Sequence, residues 1–583
     1  MAMTIQQISP VAHLPLVLGV VRKLNVAALI DTFCPPHPAH ILSCGRGVEA
    51  LLLAILDGHH ALYKVGARLE ERGMLPLLQD GLKRASLNDY RLGQILEALF
   101  AAQLNRVFGA IALNALDIYA LSTPWLHQDT TTITLYGAYK EEARPVAGLV
   151  PPRPTYGHSK DGRDDLKQVL LSLGVSSDGL PLRMGLRDGN TSDSTETPVA
   201  IEECVALGLD GVHGIVADSK AYCKRTLGLC LEQGVGLITL VPRTCAVRQE
   251  LEVWGQQQGP LPLLLEKPGR TRQESPRRWH GRSVVRQVEV EYADGRRAVE
   301  ALRFLVVHSS QLAQQAAGAY TAAQAKEAER LTEHLQRVEA RWFACAADAE
   351  AAIAEYEGRG QGRRGRKPRP WRYHVLHYQA EAVSVPQKRL RRGRPLKAEA
   401  PQIEVRYRLG VRPAAVVPSE DALGWTVLAS TVGPEKCTDA EMLQAYQEQH
   451  ITVEPGFRWI KNPAAISPVW LEKPERIAAL AMLTVVGLLV YAVIQRQVRF
   501  YLREHDLQLP GNKGLTDTPT AAVVFALFTP VMLVYCIVDK TPSLQVHGVQ
   551  DYHRLVCDAV GIDQAWYQGG ATGQNSLPTT TPP

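Results

Sequence analysis

Leu126-His-Gln-Asp-Thr-Thr-Thr-Ile-Thr134 is the stretch whose reading decides the fold. Residues 128–135 are rich in Thr and Ile, side chains that suit a pleated surface, and they predict a strand with Asp129 at its end. Strand-like runs follow at Lys167–Val175 and Leu180–Leu186, on either side of Ser176-Ser-Asp-Gly179, a good hairpin turn. After Gly189-Asn-Thr-Ser-Asp193 the pattern becomes a capped helix to Leu207. A strand ending at Asp218 in Gly214-Ile-Val-Ala-Asp-Ser-Lys220 comes next, then a helix through Leu231 and a strand at Val235–Val241.

Three antiparallel strands followed by alternating helix and strand is the order of an α/β sheet of the ribonuclease-H-like kind. In such a sheet the first and fourth strands are neighbours, so Asp129 and Asp218 are expected side by side. A third acid stands far downstream in Glu454-Pro-Gly-Phe-Arg-Trp-Ile-Lys461, ahead of a short amphipathic turn bearing Arg458 and Lys461. Proline disfavours a helical conformation in the residue before it, which predicts Glu454 as an N-cap with Pro455 as first helical residue.

The rest of the chain frames this region. At 583 residues it is too long for one ordinary core. Residues 1–120 read as a helical N-terminal domain with a DNA-end-binding or a packing role, and 121–242 as the first part of the sheet domain. After Pro242 the alternation stops, and 243–432 reads as a β-rich insertion. It carries strands at Ser283–Tyr292 and Ala301–His308, and a long charged helix from Ala322 to Tyr356. Residues 433–565 return to the sheet domain as helices, and the Gly, Thr and Pro tail at 566–583 is expected to be disordered. Ile477–Ile494 and Ala521–Val538 are uncharged over 18 residues each. Basic residues flank the first on both sides and Pro530 interrupts the second, so both are expected to be buried core helices and not membrane spans.

Composition agrees with a folded soluble protein, 46% hydrophobic and 21% charged, with a net charge of +5. The ten cysteines form no C-x-x-C pair and read as reduced thiols, and the N-terminus lacks a signal-peptide pattern, which together point to the cytoplasm. Basic residues are unevenly spread: Gly358 to Lys397 holds thirteen Lys and Arg against one acid, Glu381, which points to a polyanion-binding surface.

Carboxylates suit Mg²⁺ or Mn²⁺, and two such ions a few ångströms apart serve phosphodiester chemistry by activating the attacking oxygen and stabilising the leaving one. Asp129, Asp218 and Glu454 are the expected metal ligands and catalytic residues. Taken together, the motifs make the chain resemble a bacterial insertion-sequence transposase of the DDE class, in the group with a β-rich insertion between the second Asp and the Glu. They are Gln128-Asp129-Thr130-Thr131, Gly157-His-Ser-Lys-Asp-Gly-Arg-Asp-Asp-Leu-Lys-Gln168, Gly189-Asn-Thr-Ser-Asp193, Val216-Ala-Asp-Ser219, Phe457-Arg-Trp-Ile-Lys-Asn-Pro463 and Lys473-Pro-Glu-Arg-Ile477. Tyr446, Glu454 and Lys461 match the Tyr, Glu and Lys of that class's signature; at its Arg position stand Gln449 or His450.

The resemblance implies two-metal-ion cleavage at the ends of an element and strand transfer into target DNA, with a homodimer on DNA as the working assembly. A nuclease without strand transfer and a decayed copy that only binds DNA are the alternatives. His158, Lys160 and Lys167 in the Gly157 motif are candidate phosphate contacts, beside Tyr446, Arg458 and Lys461. Arg364 and Arg366, and Arg392 and Arg394, lie in Gly-Arg runs that either enter a minor groove or grip backbone phosphates.

Overall fold

The computed structural model describes residues 3–59, 61–121, 123–139, 144–206, 212–269, 274–357, 371–387, 403–417, 423–461, 471–538 and 541–564. Arg364, Arg366, Arg392, Arg394 and the tail at 566–583 lie outside these. The chain forms two compact units: Met1–Cys245 with Ser283–Leu305 and Leu428–Pro583, and Ala246–Arg282 with Val306–Val427.

The first unit begins with strand β1 (Met3–Ser9) and a run of helices: α1 (Leu14–Lys23), α2 (Val26–Phe33), α3 (Cys44–Leu56), α4 (Leu62–Glu71), α5 (Leu75–Leu78), α6 (Asp89–Ala101) and α7 (Leu104–Ile118). Ser43 starts α3 by accepting the Arg46 amide at 3.1 Å, and Asn88 starts α6 by accepting that of Arg91 at 2.8 Å. Leu51, Leu52 and Leu53 in α3 are fully buried, so this helix is wrapped on all sides. The sheet strands follow as β2 (Trp125–Leu135), β3 (Lys167–Ser176) and β4 (Pro181–Asp188), then α8 (Asp193–Ala206), β5 (Gly214–Ala217), α9 (Lys224–Gln233) and β6 (Gly236–Leu240). β2 pairs antiparallel with β3 and parallel with β5, and β5 parallel with β6.

The second unit holds α10 (Ala246–Gln257) and β7 (Leu263–Lys267), which pairs with the start of β8 (Arg277–Glu291). The far end of β9 (Arg297–Ser309) leads into α11 (Ser310–Glu339), β10 (Trp342–Phe343), α12 (Ala346–Tyr356), β11 (His374–Pro386) and β12 (Ile403–Ala415). The long helix expected from Ala322 to Tyr356 is therefore two helices, broken where Trp342 and Phe343 pair with β12. Phe343 joins Val338, Ala349, Ala352 and Leu409 in a small core, and burying that ring outweighs carrying the helix on.

Back in the first unit come β13 (Trp425–Ser430), α13 (Asp439–Ile460), α14 (Pro474–Glu504), β14 (Leu509–Gly511), β15 (Gly514–Thr516), α15 (Ala521–Leu527), β16 (Met532–Val538), β17 (Thr541–His547) and α16 (Asp551–Val560). The large mixed sheet of this unit runs β4-β3-β2-β5-β6-β13, and then β9 and β8. α14 is long and apolar enough to cross a membrane, but its apolar stretch is almost wholly buried, packed on α3, α6, α7 and α16. Ala521–Val538 departs from expectation: α15 stops before Pro530, and Met532–Val538 is a strand between β1 and β17. Proline offers no amide to continue the helix, and Val, Tyr and Ile suit the strand that follows.

Candidate active site

β5 is short and β2 long, and this mismatch makes the site. In their parallel register Gln128 stands opposite Ala217, so Asp129 and Asp218 follow as the next residues on neighbouring strands. β5 stops there, whereas β2 runs on to Leu135; Asp129 therefore lies inside its strand and not at the end, as the sequence had suggested. Asp218 is held by its main chain, whose carbonyl accepts the Thr239 hydroxyl at 2.6 Å, and its carboxylate accepts the Lys220 amide at 3.0 Å. The Asp129 carboxylate accepts the Thr130 amide at 2.7 Å. Burial raises the Asp129 carboxyl above its ordinary range, against the pull of Lys160 and that amide, and the charges of Asp218 and Asp193 push it further up.

A third aspartate completes the local charge pattern. Asp193, at the start of α8, accepts the Thr130 hydroxyl at 2.5 Å, pairs with Lys220 and lies 3.5 Å from Lys160. Burial alone would raise its carboxyl, but these partners outweigh it and hold it below the ordinary range. Lys160 also donates to the Thr130 carbonyl at 2.6 Å. α8 is fixed by Arg183 of β4, which is buried and binds Glu196 at 2.8 Å, Ser172 at 2.6 Å and Gln128 at 3.2 Å. The glycines of two sequence motifs are needed for close packing here. A Cβ on Gly157 would lie 2.1 Å from the Gly189 carbonyl oxygen, and one on Gly189 would lie 2.0 Å from that of Gln168.

α13 packs across β2, β5 and β3. Gln449 is buried and donates to the Gln128 carbonyl at 3.3 Å, one residue before Asp129. Lys461, at the other end, pairs with Asp161 at 2.5 Å. Glu454 lies between these two anchors, exposed and in mid-helix. The expected N-cap at Glu454 is thus corrected: the helix starts at Thr438, whose capping box with Glu441 nucleates it fifteen residues or so upstream, and it continues through Pro455. An interior proline costs roughly 3 kcal/mol or more, which the packing of α13 must offset.

Among the described residues, no three His, Cys, Asp or Glu side chains stand close enough together to hold a metal ion. The expected gathering of Asp129, Asp218 and Glu454 into one ligand set is therefore not what the structure shows. The aspartate pair by itself fits a divalent cation: a desolvated carboxylate facing a second one is the arrangement that bound positive charge relieves.

The other candidates fall into three groups. His158 is exposed and, with Lys160, lines a cavity of about 570 Å³. Arg458 is exposed on α13 and Tyr446 half-buried on the same helix. Lys167 has a structural task, donating to the carbonyls of Ala138 and Tyr139 at 2.8 and 2.7 Å. Asp193 and Lys220 close two stretches quoted from the sequence without being singled out there; their pairing across 27 residues leaves no local signal.

Residues 6–113 match the model of a domain of unknown function (DUF4277). No curated protein matches the chain.

Proposed function

We propose that the chain is a DNA transposase of the DDE class, cutting at the ends of an insertion sequence and joining the freed 3′ ends to target DNA. The observation that carries this reading is the register that sets Asp129 beside Asp218 where β5 ends. The strand order β4-β3-β2-β5-β6, with the first three antiparallel and the rest parallel to β2, supports a ribonuclease-H-like sheet. The N-terminal match is to a domain family commonly found in transposases, with no function assigned to it.

On this reading Asp129 and Asp218 would hold Mg²⁺ or Mn²⁺, and Glu454, on the helix packed across their strands, would be the third ligand. Bound divalent ions supply an activated oxygen nucleophile and charge stabilisation at phosphorus. The residues of the chain position that chemistry: Thr130 orients the Asp129 carboxylate through its amide, and Thr239 fixes the backbone of Asp218. Arg458, Lys461 and the basic stretch 358–397 supply affinity for the phosphate backbone, and the protein acts as a homodimer on DNA in the cytoplasm.

The test is cleavage and joining of authentic element ends with Mg²⁺ or Mn²⁺. Asp129→Asn and Asp218→Asn are each expected to abolish both steps and to leave DNA binding largely intact, because phosphate grip comes from Lys and Arg. A pre-cut 3′ end joined to a target duplex marks a transposase; hydrolysis without joining marks a nuclease. Full activity in both variants would remove the aspartate pair from the chemistry.

A further inference from the structure

The cavity beside the aspartate pair has one acid among its lining residues, Asp193, against Lys160, Lys220 and His158. Both lysines direct their charge at that single carboxylate. The volume, about 570 Å³, falls within the usual range for small-ligand sites, and Asn190, Ser192 and Ser194 add neutral hydrogen-bonding groups around it. Asp193 is about one-tenth exposed and Lys220 about half exposed, so the lysine is free to swing while the carboxylate stays in place.

We propose that this cavity binds a phosphodiester of a single DNA strand, and that Asp193 is its internal counter-ion, holding Lys160 and Lys220 until the strand's phosphate takes them over. The site rests on the reading above, because it is the strand running to the aspartate pair that would enter it. An anion entering the cavity meets Lys220, paired with the Asp193 carboxylate, and Lys160, which lies 3.5 Å from that carboxylate and donates to the Thr130 carbonyl. The exchange swaps one charge-assisted pair for another, and its cost is the Asp193 carboxylate, which gives up its lysines and keeps the Thr130 hydroxyl. Asp193 also accepts the hydroxyl of Thr130, whose amide donates to Asp129, so occupancy of the cavity is connected to the aspartate pair through one residue.

The experiment measures binding of a short oligothymidylate to the full chain without divalent metal, as a function of salt. Asp193→Asn keeps a hydrogen-bond acceptor for Thr130 and removes the competing charge. It is expected to tighten binding about three- to tenfold at low salt and to steepen the salt slope by about 0.7, one opposing charge having been removed. Lys220→Met, which keeps the apolar stem, is expected to weaken binding by a similar factor and to flatten the slope. Unchanged or weaker binding by a folded Asp193→Asn variant overturns the proposal; should that variant not fold, unchanged binding by Lys220→Met overturns it instead. An Asp193→Asn enhancement seen with inorganic phosphate and absent with the oligonucleotide overturns the assignment to a strand. Since no cleavage is read, loss of the transposase reading and loss of this site are separate outcomes.

Discussion

Lys461 and Asp161 form an ion pair of 2.5 Å between the end of the helix that bears Glu454 and the loop that bears Lys160. Asp161 also lies 3.4 Å from the hydroxyl of Thr134, so the pair anchors α13 along the far part of β2. The lysine expected to meet a DNA phosphate is therefore already engaged with an aspartate, as Lys220 is with Asp193. Both partners are partly exposed, which limits the coupling to below about 1 kcal/mol. A double-mutant cycle on Lys461→Ala and Asp161→Ala, read by chemical denaturation, is expected to return a value in that range. Lys461→Ala should still weaken binding of element ends and flatten its salt dependence, since a phosphate contact is lost. An unchanged slope would mean that the lysine serves α13 alone.

Asp129 gives a prediction about stability that runs opposite to activity. Its carboxyl is raised in the fold, chiefly by burial, so at pH values between the ordinary and the raised one the folded state holds a proton that the unfolded state has released. Stability contributed by the neutral form is present at low pH and is lost as pH rises from the ordinary value of 3.8 through the raised folded value. Above that window the buried charge is a cost. Asp129→Asn removes it, and the thermal midpoint at neutral pH without metal is expected to rise while cleavage disappears. Divalent metal should raise the wild-type midpoint and not that of the variant. A lower midpoint for Asp129→Asn at neutral pH would contradict the account of its environment.

Arg183 shows how the site is held from outside. Its guanidinium is buried and spans β2, β3 and α8, and removing it leaves the buried Glu196 with Arg187, at 2.7 Å, as its remaining ionic partner. Breaking one partner from a buried pair costs about 3–5 kcal/mol. Because Arg187 still binds Glu196 and Glu203, Arg183→Met is expected to lose less than that, about 2–3 kcal/mol in urea denaturation, and to loosen the start of α8 where Asp193 sits. Amide exchange over residues 193–206 should then rise well beyond that of the rest of the sheet. A variant as stable as wild type would show that the network is replaceable by apolar packing.

The parts of this arrangement legible in the sequence were those with local signals. Strands rich in β-branched residues, a Ser-Asp-Gly turn and alternating helix and strand predicted β2 to β6 and set Asp129 beside Asp218. Other features were set at a distance. The Glu454 helix begins at a capping box around Thr438, and its tertiary packing overrides the local preference that Pro455 expresses. The 18 uncharged residues after Thr520 are half strand, because β1, almost the whole chain away, supplies the partner edge. Asp193 and Lys220 meet only once α8 has been fixed over the sheet, and no spacing in the sequence announces that.

Gln449 offers the clearest test of the signature's missing arginine. It keeps the spacing from Tyr446 that the signature's Arg would have, yet its side chain is only 5% exposed and reaches the Gln128 carbonyl inside the fold. A side chain so placed touches the main chain beside Asp129 and no phosphate. An arginine there would carry a charge into a site whose known partner is one neutral carbonyl, and an unpaired buried charge is strongly unfavourable. Gln449→Arg is thus expected to destabilise the fold by several kcal/mol, of the order of about 3–5 by comparison with broken buried pairs. Gln449→Met keeps the volume and loses one hydrogen bond, worth about 0.5–1.5 kcal/mol. The measurement is urea denaturation of both variants beside binding of element ends. A stable Gln449→Arg protein that binds DNA more tightly would instead restore position 449 to the DNA-facing signature, and would require α13 to turn that residue outward.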